Sequence, residues 1–138
     1  VVVKKITYIV IIMLMSTLAY GQSYKEFAKK FSYELSYEQA MKRAKEEKKD
    51  VLLIQVSNYC PWCRKLEKRT LSSDKINKLI QQKYIPLIVN RQEGTLHKRF
   101  ATPVVPVSYI IDYRDDTKFK SFPGYQSKTD FYSIVSKD

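Results

Sequence analysis

Val51-Leu52-Leu53-Ile54-Gln55-Val56 is a run of strand length with a single polar residue. A strand with one wet face alternates apolar and polar residues, so a run of this kind must be covered on both sides. It is the natural central strand of a sheet with helices above and below it. The segment before it supplies one such helix: Ser36 suits an N-cap, and Tyr37, Ala40, Met41 and Ala44 fall on one face of a helix reaching about Lys49.

After the run, Pro61 suits the first turn of a helix, where a missing N–H is no loss, and this helix is expected to reach about Arg69. Ser72 or Ser73, ahead of Asp74, opens another, with Ile76, Leu79 and Ile80 turned inward. Tyr84 to Val89 reads as a strand that Pro86 restricts to a sheet edge or a strand start. Gly94 punctuates, Thr95 to Phe100 is expected to be a short helix, and Thr102-Pro103-Val104-Val105-Pro106 leads into a strand from Val107 to Ile111. Phe119 to Phe122 completes a hairpin that Pro123-Gly124 ends, and Ser127 caps a last helix carrying Phe131, Ile134 and Val135. Ser23 to Lys30 fits a short helix or an extended lead-in equally. The order helix, strand, helix, helix, strand, helix, strand, strand, helix predicts an α/β fold, a central mixed sheet flanked by helices on both faces.

The N-terminal stretch has a different grammar. Lys4 and Lys5, the apolar run from Ile6 to Leu18 and the small-x-small triplet Ala19-Tyr20-Gly21 have the layout of a secretory signal peptide cleaved after Gly21. Residues 1–21 are therefore read as a leader and 22–138 as one domain, located in the periplasm or secreted. An uncleaved membrane anchor is the weaker alternative, because a spanning helix needs about 20 apolar residues. The net charge of +11 loses two units with Lys4 and Lys5. The remaining cations are interleaved with glutamates, as in Lys42-Arg43-Ala44-Lys45-Glu46-Glu47-Lys48-Lys49, which describes a solvated helix face, and no nucleic-acid partner is expected.

Both cysteines of the chain stand in Tyr59-Cys60-Pro61-Trp62-Cys63. A structural bridge there would close a loop too short to remove more than about 2 kcal/mol of unfolded-state entropy, and it would join no distant segments. Two cysteines one helical turn apart suit a bond that opens and closes. Cys60, just ahead of a helix, lies where unpaired N–H groups and the positive dipole end stabilise a thiolate. Arg64, Lys65, Lys68 and Arg69 add to that potential and Glu67 opposes it, so the Cys60 pKa is expected to fall. Cys60 is the candidate nucleophile and Cys63 the shielded resolving thiol. No cofactor beyond the redox-active disulfide Cys60–Cys63 is expected. A zinc site needs four ligands and the chain offers two cysteines and His97, whose expected role is at the surface or in packing. A soft metal such as Cu(I) on Cys60 and Cys63 is the binding-module alternative.

The order of a strand, Cys-x-x-Cys at a helix start and Val105-Pro106 before a later strand resembles the thioredoxin superfamily over about Ser36 to Lys137. The resemblance implies a thioredoxin fold, a cis peptide before Pro106 lying against the cysteines, and substrate pairing with the backbone at Val105. The segments from Cys60 to Glu67 and from Phe122 to Tyr125 resemble secreted bacterial thioredoxin-like proteins in particular. Pro61-Trp62 and Val105 are closer to glutaredoxins and to the DsbA oxidases, although the helical insertion of the latter has no room here. Ile54 stands six residues before Cys60, where thioredoxins carry a buried aspartate that assists proton transfer to and from the resolving thiol. Water or Glu67, at i+4 from Cys63, is the candidate replacement, with Glu67 weighed against the plainer role of a solvated ion-pair partner.

Within the active-site loop, Trp62 is expected to be partly exposed beside the sulfur, as substrate contact or shield, and Tyr59 to pack against the loop. These features predict a protein thiol-disulfide oxidoreductase of the cell envelope. It would exchange with protein thiols and disulfides, depend on a membrane redox partner and act as a monomer. Small size favours a thioredoxin-like reductase; Pro61 and Val105 favour a DsbA-like oxidase or isomerase, the second choice.

Overall fold

The computed structural model describes residues 1–93 and 96–137, without the side chains of 15–22. Gly94, Thr95 and the side chains at the expected cleavage site around Gly21 lie outside this description. In chain order the elements are α1 (Val2–Phe31), α2 (Tyr37–Glu47), β1 (Asp50–Val56), α3 (Pro61–Lys65), a π-helical stretch (Leu66–Leu71), α4 (Asp74–Lys83), β2 (Tyr84–Asn90), a single 3-10 turn (Lys98–Phe100), β3 (Val107–Ile111), β4 (Phe119–Pro123) and α5 (Lys128–Ser136).

The four strands form one mixed sheet in the order β2-β1-β3-β4, with β1 parallel to β2 and antiparallel to β3. β1 is interior, as its apolar run requires, and all of Val51–Val56 is buried. β2 is the edge to which Pro86 restricted it. That edge is partly closed, because Glu34 N donates to Pro86 O (2.8 Å) and Ile88 N donates to Glu34 O (3.0 Å), which blocks further strand pairing there.

Helices cover both faces. On one, Ala40, Met41 and Ala44 of α2 pack with Leu53, Leu87, Phe100 and Ile111. On the other, Leu52, Ile54 and Val56 meet Leu66, Leu71, Ile80, Phe131 and Val135 from the helices that follow. The expected caps are in place: Ser36 Oγ accepts from Gln39 N and Ser127 Oγ from Asp130 N. The basic residues 42, 45 and 48 lie exposed along α2 and its C-cap.

Three details depart from expectation or resolve it. Ser23 to Phe31 is helical, because Tyr24, Phe27 and Ala28 share a helical face buried in the same cluster as Leu52 and Leu66, whereas the apolar side chains from Ile6 to Leu14 are exposed. The helix after Pro61 does not run as an α-helix to Arg69; from Leu66 it widens into the π-helical stretch, closed by an i to i+5 bond from Ser72 N to Glu67 O (3.1 Å). Thr70 inside that stretch donates its hydroxyl to Gln126 O (2.8 Å), an anchor to the loop before α5. The short helix near Phe100 is reduced to one turn, Lys98–Phe100.

Candidate active site

β1 delivers the chain to the redox loop. The turn at 57–59 that follows it is held from the side by the end of β2: Asn58 N donates to Gln92 Oε1 (2.6 Å), Asn90 Nδ2 to Asn58 Oδ1 (2.7 Å), and Gln92 N to Asn90 Oδ1 (3.0 Å). Sequence reading missed this clamp. Its one legible trace is Asn90, a polar residue closing an otherwise apolar strand and buried there. Tyr59 sits at φ 53, in the left-handed region a non-glycine residue seldom adopts, and it is 68% exposed.

Cys60 is the N-cap of α3 and is joined to Cys63 by a disulfide. Its sulfur also accepts a hydrogen bond from Cys63 N (3.2 Å), so an N–H of the first helical turn points at the atom that would carry thiolate charge. Cys60 is partly exposed and Cys63 fully buried, the asymmetry an attacking and a resolving thiol need. Pro61 occupies the first helical turn. Trp62 is 55% exposed, its ring 5.6 Å from that of Tyr125, and Lys65 Nζ lies 4.4 Å from the Trp62 centroid and 4.9 Å from that of Tyr125. These cation–π contacts join the active-site helix to the loop after β4.

The Val105–Pro106 peptide is cis. Val105 packs against the cluster that contains Cys63, as do Cys60 and Tyr125, so the fold gathers the two cysteines and the proline loop in one place. Gly124 N donates to Pro106 O (2.7 Å) from φ 85, a backbone conformation that glycine adopts without strain. Arg91 Nη1 donates to Thr102 O (3.2 Å), at the start of the same loop.

Behind the disulfide, Ile54 is fully buried in the cluster with Cys63, so position 54 of β1 presents no acid to the resolving thiol. A carboxylate stands four residues beyond Cys63 in sequence, in the π-helical stretch. Glu67 is 4% exposed and paired with Arg64 Nη2 (2.8 Å), so it is an ion-pair partner but not a solvated one. Burial raises its pKa from 4.5 to about 7, against the opposing influence of Arg64 and Lys68. Arg64 is held in turn by Ser23 Oγ on α1. A cleft of about 460 Å3, lined by Ser23, Phe27, Arg64 and Glu67 among others, opens between α1 and this helix. His97 is exposed and takes no part in this site; its Nδ1 accepts from Arg99 N (3.2 Å) and Arg99 Nε (3.1 Å).

The sequence model of a family described as thioredoxin-like matches residues 32–112, from the bridge that closes the β2 edge through the redox loop to the end of β3. The chain belongs to the thioredoxin-like family. No curated protein matches it in sequence. Among solved structures it resembles a thioredoxin from Thermus thermophilus, with 16% identity over 75% of this chain and 83% of that one, at a TM-score of 0.63. It also resembles the DsbD C-terminal domain of Neisseria meningitidis in its reduced form, with 15% identity over 71% and 90% at 0.59, and a DsbH oxidoreductase, with 18% over 74% and 82% at 0.56. At such identities the likeness establishes the thioredoxin fold, and the chemistry rests on the cysteine pair itself.

Proposed function

We propose that this thioredoxin-like protein is a thiol-disulfide oxidoreductase that exchanges disulfides with protein substrates through Cys60, preferentially as a reductase. The observation that carries the reading is the Cys60–Cys63 pair, with one partly exposed sulfur at a helix start and one buried, beside the Val105–Pro106 loop. In the reductive direction the Cys60 thiolate attacks one sulfur of a substrate disulfide and a substrate thiolate leaves. Cys63, as thiolate, then attacks Cys60 of the mixed disulfide, releasing the second substrate thiol. Two electrons pass to the substrate, and Cys60–Cys63 is left oxidised.

Glu67 is the group proposed to take the Cys63 proton. A carboxyl with a pKa of about 7 is near the optimum for proton exchange at neutral pH, and the cleft it lines gives it a route to solvent. Tyr59 and Trp62 are proposed to meet the substrate beside the sulfur, and the backbone at Val105 to pair with it.

The proposed place of work is the cell envelope, with a membrane redox partner restoring the thiols of a monomeric protein. The leader grammar of residues 1–21 supports this, as does the exposure of the apolar side chains from Ile6 to Leu14, which contribute nothing to the core. The likenesses to a DsbD C-terminal domain and a DsbH oxidoreductase are to Dsb-type redox proteins, in keeping with such a setting.

The test is reduction of insulin by the wild type and by Cys60→Ser. Loss of at least about a thousandfold in rate in the variant is expected, since Cys63, the thiol that remains, is fully buried. Equal rates in the two proteins would refute the reading. The reduction potential of the pair decides direction: a value well below that of the glutathione pool fits a reductase, and one near or above it fits the oxidase alternative.

A further inference from the structure

We propose that the substrates of this protein carry acidic residues beside the reacting cysteine, held by a basic groove that opens from the redox loop; the inference rests on the exchange chemistry proposed above. The groove, about 580 Å3, lies between the π-helical stretch and the start of α5 and is lined by Lys68, Arg69, Tyr125, Ser127 and Lys128 among others. Tyr125 lines it and its ring contacts that of Trp62 between the two cysteines, so an extended chain engaged at Cys60 has its neighbouring residues within reach of the groove.

Three cations, Lys68, Arg69 and Lys128, line the groove. Several cations elsewhere are matched: Arg43 with Glu34 and Glu47, Arg64 with Glu67, Arg99 with Asp116, Arg114 with Asp112 and Lys118 with Asp115. Lys68, Arg69 and Lys128 are exposed and, among the described residues, join no ion pair. Among the described residues, no carboxylate lines the groove. Asp130, the acid in the first turn of α5, is turned to its own cap, where its Oδ2 accepts from Ser127 Oγ (2.8 Å). Lys65 extends the positive field from the groove to the Trp62 ring.

Like charges converging on a concave wall repel one another, and the arrangement gains when an anionic ligand enters. The occupant is a polypeptide rather than a nucleic acid or lipid surface, because the groove leads to a disulfide and only a thiol-bearing partner is drawn to its mouth. Its acidic side chains would sit on the α5 side of the reacting cysteine.

The experiment uses the full chain, pre-reduced, in single-turnover reaction with disulfide peptides that differ only in flanking residues: acidic, neutral or basic. Trp62, the one tryptophan, reports the reaction by fluorescence. At low salt the acidic peptide is expected to react about tenfold faster than the basic one. That ratio should fall towards one as salt shortens the screening length to about 3 Å near 1 M. In the combined variant Lys68→Glu, Arg69→Glu, Lys128→Glu the ratio should invert; both peptides react at the same sulfur, so the ratio is insensitive to a general loss of activity. Equal rates in the wild type, or a preference that survives the charge reversal, overturn this inference alone. A wild type that reacts with none of the peptides, the neutral one included, overturns the oxidoreductase reading and this inference with it.

Discussion

The two faces of the sheet are made from the same four strands and differ in what they bury. On the α2 face, Phe100 is ringed by Tyr37, Tyr109 and Phe119 at centroid distances of 5.7, 5.4 and 5.1 Å within a hydrophobic cluster, and the buried polar residue that β1 adds beside Val89 and Val107 is the uncharged Gln55. On the opposite face the same depth of packing contains Cys63, and Glu67, four residues further along the chain, is also buried, which raises its carboxyl pKa to about 7. A fold of this kind can be stable with both faces dry. Burial of the Glu67 carboxyl on that face costs free energy, and its proposed use in proton transfer would separate the residues that hold the protein together from those that set its reactivity.

The largest effect that tests this separation lies on the dry face. Phe100→Ala is expected to cost about 3–5 kcal/mol in denaturant unfolding, since a fully buried aromatic ring is lost at the centre of a cluster. The reduction potential of Cys60–Cys63 in the molecules that remain folded should be unchanged. A shifted potential would show that the two faces are coupled and break the comparison.

Next comes Glu67. Its folded pKa is raised, so the folded state holds a proton that the unfolded state has released between pH 4.5 and about 7. Stability therefore falls as pH rises through that window and levels off above it. The loss amounts to about 3 kcal/mol, since holding a proton costs about 1.36 kcal/mol for every pH unit that separates the folded and unfolded titrations. Glu67→Gln should flatten the stability profile of the oxidised protein across this range, while Phe100→Ala should lower it uniformly. In exchange kinetics the wild type should show an inflection near pH 7 that Glu67→Gln lacks. Identical profiles with and without the carboxyl would remove Glu67 from the proposed proton path.

Much of this division was legible in the sequence. The apolar run of β1 required two covered faces, Pro86 marked the sheet edge, and Cys60-Pro61-Trp62-Cys63 with Val105-Pro106 located the reactive end. What could not be read is what depends on long-range placement. Glu67 has Lys65, Lys68 and Arg69 within two positions of it, a pattern that suggests a solvated charge. Its burial follows from α1, which lays Tyr24, Phe27 and Ala28 into the cluster that holds Cys63 and Leu66 and fixes Arg64 through Ser23. The clamp of Asn58 with Asn90 and Gln92 joins positions more than thirty residues apart, and no local propensity announces such hydrogen bonds. The π-helical turn at Leu66–Leu71 is likewise silent, because the buried residues Cys63, Leu66, Glu67, Thr70 and Leu71 follow a spacing that an ordinary α-helix shares.

The smallest effect belongs to the rim of the reactive face. Lys65 lies over both Trp62 and Tyr125 and so ties the helix carrying the cysteines to the loop whose Gly124 bonds Pro106. Lys65→Met keeps most of the aliphatic stem and removes the cation. It is expected to cost about 0.5–1 kcal/mol in stability, the range for cation–π contacts that are still partly in water. It should also alter the fluorescence of Trp62, whose ring loses the adjacent charge, while leaving the pH window of Glu67 where it was. Lys65 is not among the residues that set the Glu67 pKa, which are Arg64 and Lys68 acting against burial. If Lys65→Met moved that window, the exposed rim and the buried carboxyl would act as one electrostatic system, and the line between packing and chemistry would have to be drawn around the whole helix rather than through it.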